Sequence, residues 1–428
     1  TLYNRSGHFC RWGYEYIMNR VVVTGIGMIT PLGNNAAEVL EGIKNSRCGI
    51  GELTRFDTSD RTVKLAAEVK DYNPDDYFDK REQRRLDRVT QFGIIAGRRA
   101  LENANLTREY LSNERAGVFV SSGIGGISTI ESEHAKGMSR GFDKVSPYYI
   151  PMAIINLTAG NIAIDLNAHG SCQAMVTACS SATNAIGEAY RHIKHGYADI
   201  IFAGGSEAPI TELSVGGFTS MKALSLSQNP NRASIPFDKK RDGFVMGEGA
   251  TVLVLEEYEH AVNRGANILA EIVGYSDTCD ANHITAPCED GKFAAQAMVQ
   301  AIADAGIKTS DIDYINAHGT STPLNDKYET AAIKRAFGEG YRDVLVSSSK
   351  SQIGHLLGAS GSTELAMTII SMQAGIVPPT INYEYPDDAC DLNLVVNRYK
   401  ESEINYALKN SLGFGGHNAS IVVKRWTE

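Results

Sequence analysis

Short runs rich in β-branched residues alternate along this chain with longer segments of helical periodicity, and that alternation restricts the possible folds more than any other feature. Strand-like runs fall at residues 21–25, 116–121, 200–203, 250–256, 314–317, 344–347 and 419–424. Between them, residues 90–103, 180–195, 293–305 and 361–374 repeat apolar positions at the spacing of a helix face. Such alternation predicts parallel or mixed sheets covered by helices, an α/β architecture. The two halves also echo one another. The helix ending Ala96-Gly97-Arg98-Arg99-Ala100-Leu101-Glu102-Asn103-Ala104 leads to the strand at Ala116, and Ala297-Met298-Val299-Gln300-Ala301-Ile302-Ala303-Asp304-Ala305 leads likewise to the strand at Tyr314. Cys179 opens one helix, and Gly358-Ala359-Ser360-Gly361 opens another at the corresponding place. This predicts an internal duplication, packed as one body because no long linker divides it. Residues 1–17 lack the apolar core of a signal peptide, whereas Met18 precedes a strand-like run. The expected organisation is an N-terminal extension or expression remnant over 1–17, one half over 18–268 and a second over 269–428.

The 428 residues, 43% of them hydrophobic, are enough to bury a large core. No apolar run approaches the ~20 residues that span a bilayer. A net charge of −9 argues against general nucleic-acid binding, so an acidic partner would have to meet a local basic patch. Lys80, Arg81, Arg84, Arg85 and Arg88 form one such cluster, which by itself reads first as a solvated helix face. The seven cysteines are scattered without a CxxC pair, so neither a disulfide framework nor a metal site is expected. That usage fits a reducing, cytoplasmic setting.

Several stretches carry chemical potential. Ala182, Ile186, Ala189 and Ile193 recur at helical spacing, which places Cys179 at a helix start, where free N–H groups and the dipole favour thiolate over thiol. An inert buried thiol is the alternative. His318, in Asn316-Ala317-His318-Gly319-Thr320-Ser321-Thr322, follows a strand on a glycine-containing loop, and Thr320 and Thr322 alternate so that both hydroxyls can face one ligand. Lys350 and His355 share another strand exit, Ser347 to His355. Phe414, between glycines in Gly413-Phe414-Gly415-Gly416-His417-Asn418, can act as a gate or as a core aromatic. Gly25-Ile26-Gly27 follows a strand, but Thr30 stands where a dinucleotide fingerprint needs its third glycine, so no nucleotide cofactor is expected.

Taken together, these motifs resemble the thiolase-fold condensing enzymes, in particular the 3-oxoacyl-[acyl-carrier-protein] synthases of the type I/II branch. The likeness runs from Val21 to Asn418 and includes Ala203-Gly204-Gly205-Ser206-Glu207-Ala208 and the segment from Pro236 to Gly249. Thiolases carry a second cysteine where His355 stands, and type III synthases use an asparagine. Leu412 and Gly416-His417-Asn418 are nearer to the type II enzymes of Gram-positive bacteria. The resemblance implies a thiolase-like five-layer αβαβα fold of two similar halves, a homodimer, and decarboxylative condensation of acyl and malonyl groups carried on acyl carrier protein, without a cofactor or metal. A type I or polyketide ketosynthase is the near alternative, and a non-catalytic chain-length factor the distant one. It implies that Cys179 holds the acyl group and that the N–H groups of Cys179 and Phe414 form the oxyanion hole. His318 and His355 would act on the malonyl thioester. Lys350 would order the site, through a pair with Glu329 in Asp326-Lys327-Tyr328-Glu329, or serve as a proton donor. Thr320 and Thr322 would bind pantetheine, and Ile124, Tyr149, Phe218 and Phe414 would line the acyl pocket. Arg81, Arg84 and Arg85, joined by Lys144 and Lys222, would dock the carrier protein.

Overall fold

The computed structural model describes residues 18–427, together with the backbone of a short ladder between Phe9–Arg11 and Tyr14–Tyr16. The extension expected over 1–17 otherwise lies outside the described residues. The first half contributes strands β1 (Val21–Ile29), β2 (Ala116–Ser121), β3 (Cys172–Gln173), β4 (Ile200–Glu207) and β5 (Gly249–Glu257). The second contributes β6 (Ala270–Cys279), β7 (Tyr314–Asn316), β8 (Leu345–Ser347), β9 (Tyr406–Gly413) and β10 (His417–Arg425). Within the halves the orders are β3-β2-β4-β5-β1 and β8-β7-β9-β10-β6, the same permutation twice. In each, three strands run parallel and the last strand of the half is antiparallel to both its neighbours. A short ladder, Ala270 opposite Val23 to Ile272 opposite Val21, joins β6 to β1 and makes one ten-stranded sheet.

Helices α1 (Arg88–Asn103) and α2 (Asn156–Leu166) cover the outer face of the first half, and α4 (Lys292–Asp304), with α5 (Pro323–Phe337) against it, covers that of the second. Between the halves lie α3 (Ser181–Lys194) and α6 (Ser360–Gln373), each packed on strands of both. Three apolar clusters follow from this layering, the largest around α3 and α6. The duplication extends to detail. The ladder slips between Val23 and Gly25 in one half and between Ile272 and Gly274 in the other. A Cβ on Gly25 would lie 2.7 Å from the Ala100 carbonyl, and one on Gly274 2.1 Å from that of Ala301, so each glycine lets its helix rest directly on a bulged strand.

All seven strand-like runs and all four helical segments expected from the sequence are present. Strands β6 and β9 escape sequence reading because Ala270–Cys279 is interrupted by Gly274 and Tyr406–Gly413 carries Lys409 and Asn410, polar residues that only tertiary partners make acceptable in a buried strand.

The central helices touch where Gly361 faces Thr183. A Cβ on Gly361 would lie 2.0 Å from Thr183 Oγ1 and 2.8 Å from its backbone nitrogen. An exposed Gly→Ala change inside a helix ordinarily stabilises by about 1 kcal/mol. Here Gly361→Ala should instead destabilise by about 2 kcal/mol through overpacking, read as a lower midpoint in urea unfolding; a raised midpoint would contradict this packing.

Candidate active site

The carboxyl ends of the parallel strands of both halves converge, the place where open α/β sheets offer crevices to ligands. In the second half β7 delivers His318, β8 delivers Lys350 and His355, and β9 delivers Phe414. In the first half the chain beyond β3 delivers Cys179, and β4 ends on Glu207. A cavity of about 370 Å³ opens between them, with Cys179, His318, His355, Thr320 and Phe414 in its wall.

Cys179 stands in a 3-10 turn, Ala178–Ser180, just ahead of α3, with Ala178 at φ 51°. The equivalent turn of the other half, Leu357–Ala359, precedes α6 with Leu357 at φ 46°, so that Gly358 occupies the place of Cys179. Only 8% of Cys179 is exposed. Burial pushes its thiol up to about 12, although Lys350 and the N–H groups of Phe414 and Cys179 itself pull the other way. The contributions expected at a helix start are present, but desolvation outweighs them and the thiol is protonated at rest. The same two N–H groups, both directed at the sulfur, are arranged to receive an oxyanion on an acyl carbon bound there. Gly413 and the nucleophile turn are in close contact, and Ser180 Oγ donates to the His417 carbonyl at 2.9 Å, which locks the Phe414 loop to the turn.

His318 and His355 cross edge-to-face with ring centroids 5.3 Å apart. Lys350 Nζ donates to the His318 carbonyl at 2.6 Å and lies 3.4 Å from His318 Nδ1. His355 Nδ1 accepts from the Leu357 N–H at 3.3 Å and sits 2.8 Å from Ser360 Oγ. Both Nδ1 atoms thus act as acceptors, which leaves each ring proton on Nε2. Burial, followed by the charge of Lys350, holds both imidazoles well below their usual range, so they are neutral donors at physiological pH. The backbone of His355 is clamped by Val245 and Gly247, its N–H donating to the Val245 carbonyl at 2.7 Å and its carbonyl accepting from Gly247 at 2.8 Å.

The carboxylates are arranged differently from the expectation. Glu329 does not pair with Lys350; it accepts the N–H groups of His318 and Gly319, each at 2.7 Å, and so fixes the loop. Asp326 likewise accepts from Phe237 at 2.8 Å and Ser321 at 3.2 Å. The partner of Lys350 is Glu364 on α6, at 2.5 Å, whose other oxygen pairs with Lys409 at 2.8 Å. Sequence reading missed Glu364 and Lys409, and gave Glu207 no role beyond its place in the Ala203–Ala208 run. The available signals were a lone acid in the otherwise uncharged α6 and a lysine within a strand. Glu207 gathers Ser122 Oγ and the N–H groups of Gly123 and Gly358, at 2.6, 2.6 and 2.8 Å, and thereby ties the two halves together behind Cys179.

Thr320 and Thr322 place their hydroxyls 2.9 Å apart in the cavity wall, which Lys222 also lines. Phe218 lines it 6.5 Å from the Phe414 ring, and Ile124 packs in the apolar cluster that holds Cys179. Tyr149 begins a five-residue helix, Tyr149–Ala153, packed on the helix Ile127–Arg140; like Ile124, it is not in the wall of this cavity. Arg81, Arg84, Arg85 and Lys144 are exposed and lie outside the cavity wall, with Arg85 over the Tyr148 ring at 4.8 Å. Arg88 leaves the basic cluster altogether, paired with the buried Glu248 at 2.7 Å. Among the described residues, no helix is long and apolar enough to cross a membrane, and no group of three His, Cys, Asp or Glu side chains is placed to hold a metal.

Comparison with known proteins agrees with this geometry. Residues 18–261 match the beta-ketoacyl synthase N-terminal domain and 269–384 the C-terminal domain. A 3-oxoacyl-[acyl-carrier-protein] synthase 2 of Staphylococcus aureus is 47% identical over 407 residues, 95% of this chain and 98% of its own length. The enzyme of the same name from Synechocystis is 47% identical over 408 residues, with the same coverage. Among solved structures, a beta-ketoacyl synthase from Burkholderia phymatum superposes with TM-score 0.89 at 34% identity, covering 96% of this chain and all (100%) of its own. A type II polyketide ketosynthase, solved in complex with its acyl-carrier protein and bound to a hexaketide, gives 0.88 at 34% identity over the same shares.

Because the Cys179 thiol is protonated at rest, its thiolate fraction should grow as pH rises toward 12. Iodoacetamide modification of Cys179, followed by peptide mass spectrometry, should quicken roughly tenfold per pH unit between about pH 6.5 and 8.5. A rate that is flat across that interval would show a thiolate already formed.

Proposed function

The chain belongs to the beta-ketoacyl synthase family, and from that premise we propose that its cavity joins an acyl group held on Cys179 to a malonyl-derived carbanion oriented by His318 and His355. The activity is that of a condensing acyltransferase in fatty-acid elongation, giving 3-oxoacyl-carrier protein and CO2. The observation that carries the assignment of roles is the convergence of a buried thiol, two backbone N–H groups directed at it, and two neutral Nε2–H donors on one cavity.

In the first half-reaction Cys179 Sγ attacks the thioester carbon of acyl-carrier protein. The N–H groups of Cys179 and Phe414 stabilise the oxyanion, and the thiol proton passes to the departing pantetheine sulfur, so the exchange is proton-neutral. A resting thiol suits this, because one thiol is consumed and one released. Malonyl-carrier protein then enters with Thr320 and Thr322 on its pantetheine amides. Its carboxylate leaves as CO2, and the electron pair of the broken C–C bond passes to the thioester as an enolate. The Nε2–H groups of His318 and His355 donate to the oxygen where that charge gathers. The carbanion attacks the acyl carbon, the C–S bond breaks, and Cys179 leaves as thiolate to be reprotonated. Lys350 orders His318 rather than acting as the proton donor, a reading supported by its contacts with the His318 carbonyl and Nδ1. Asp326 and Glu329 hold the loop that bears both His318 and the threonines. The reading requires no cofactor beyond the pantetheine arm that the substrates bring.

Ile124, Phe218 and Phe414 are assigned to the acyl pocket, with Phe414 as its gate. The greater identity to 3-oxoacyl-[acyl-carrier-protein] synthase 2 than to the polyketide ketosynthase supports fatty-acyl over polyketide substrates. The presence of Cys179, His318, Lys350 and His355 disfavours a non-catalytic chain-length factor. We assign carrier-protein docking to Arg81, Arg84 and Arg85, with Lys144 and Lys222; the relative solved with its own acyl-carrier protein supports this kind of partner. A homodimer is the assigned assembly, supported by the exposed short edge strand β3 and by exposed Met138, Phe142, Ile150 and Ile164 on neighbouring elements. A cytoplasmic location completes the reading.

With purified protein, acyl- and malonyl-carrier protein, Cys179→Ala should abolish 3-oxoacyl product while leaving decarboxylation measurable; product formation by this variant would remove the nucleophile assignment. Reversing Arg84 and Arg85 to Glu should raise the carrier-protein KM by about tenfold or more and flatten its salt dependence, with kcat little changed. An unchanged KM would move the docking surface elsewhere.

A further inference from the structure

Lys409 is buried and takes no part in the reaction described above. It lies on β9 opposite Asn316 of β7, two residues before His318. Its strand neighbours on the same face, Ala407 and Ser411, are apolar or small and point to the central helices, where Ser411 Oγ meets Thr183 Oγ1 at 2.7 Å. The Lys409 side chain is 0% exposed. An ammonium is costly to bury in such a place unless fixed partners receive it.

The partners are present. Lys409 Nζ pairs with Glu364 Oε2 at 2.8 Å and donates to the Asn410 carbonyl. Glu364 Oε1 is taken by Lys350 at 2.5 Å, and Lys350 in turn holds the His318 carbonyl and Nδ1. Two lysines, one beyond the end of β8 and one within β9, therefore share one carboxylate from α6. Glu329, which fixes the His318 backbone from the other side, also feels the charge of Lys409. Burial lowers Lys409 itself to about 8, with Glu364 and Glu329 opposing that shift.

Without a cation at 409, Glu364 would have one oxygen unpaired in a dry interior. It would then either take a proton or turn both oxygens to Lys350. Either change removes the fixed carboxylate that sets where Lys350 sits, so Lys350 shifts relative to His318 Nδ1 and the imidazole loses what keeps its proton on Nε2. We propose that Lys409 is a positioning residue for His318, a cation built into the sheet that holds Glu364 so that Lys350 stays on the imidazole. The inference rests on the reading of His318 as donor to the malonyl thioester. It separates the two half-reactions: acyl transfer to Cys179 does not need His318, whereas decarboxylation and condensation do.

The test compares wild type with Lys409→Met, Lys409→Arg and Lys409→Ala. In Lys409→Met, kcat for condensation and for malonyl decarboxylation should fall by about tenfold or more, while the malonyl-carrier KM and the rate of Cys179 acylation stay within about twofold. Lys409→Arg, which keeps the charge, should recover most of kcat. Methylammonium chloride should partly restore Lys409→Ala, and tetramethylammonium chloride at equal concentration should not, since it is too large for the space left. The inference is overturned if Lys409→Met condenses at the wild-type rate, or if it loses acylation and condensation in equal proportion. Should Lys409→Met fail to fold, Lys409→Arg and the two salts decide: a kcat in Lys409→Arg as low as in Lys409→Ala, with no gain from methylammonium, overturns it. Wild-type protein that does not condense the two carrier-bound substrates would instead remove the functional reading beneath it.

Discussion

Two helices pressed together between two sheet halves are the constraint on which the rest of this molecule depends. α3 and α6 approach closely enough that Gly361 has no room for a side chain against Thr183, and each helix packs on strands of both halves. The turn that begins α3 presents Cys179, and the turn that begins α6 follows directly on His355. Bringing the helices into contact therefore brings the nucleophile of one half to the donors of the other. Glu207 reinforces this by accepting N–H groups from Gly123 in the first half and Gly358 in the second.

Duplication also explains why the site is asymmetric. The same strand order, the same bulge over a helix and the same left-handed residue before the central helix occur in both halves. At the position that bears a thiol in the first half the second has Gly358, on which a Cβ would lie 2.2 Å from the Gly123 nitrogen. Close packing of the halves leaves room for only one side chain near the pseudo-axis, so one half supplies the nucleophile and the other supplies the cationic and imidazole groups.

The electrostatics follow from dryness. Burial keeps the Cys179 thiol protonated and both imidazoles neutral, and it makes unpaired charge expensive. The charged residues of the second half accordingly form a closed arrangement, Lys350 and Lys409 on Glu364, with Glu329 and Asp326 satisfied by backbone N–H groups. Charge is placed behind the imidazoles rather than on them, and the cavity receives neutral hydrogen-bond donors where enolate charge would develop.

The alternation of strand and helix, the echo between the two halves, and Cys179, His318, Lys350 and His355 were legible in the sequence, because strand exits and helix starts leave local signals in glycine, small residues and periodicity. Strands β6 and β9 were not, since Gly274, Lys409 and Asn410 contradict a buried strand until their partners are known. Glu329 reads in the sequence as the partner of Lys350, yet it braces the backbone of His318 while Glu364 takes the lysine. Pairing of this kind joins residues far apart in the chain, on strands and helices whose contact no local pattern records. Local pattern is enough to specify the layered architecture and the chemical groups available, whereas which carboxylate meets which lysine depends on three-dimensional proximity in a dry interior, where a charge left alone is costly.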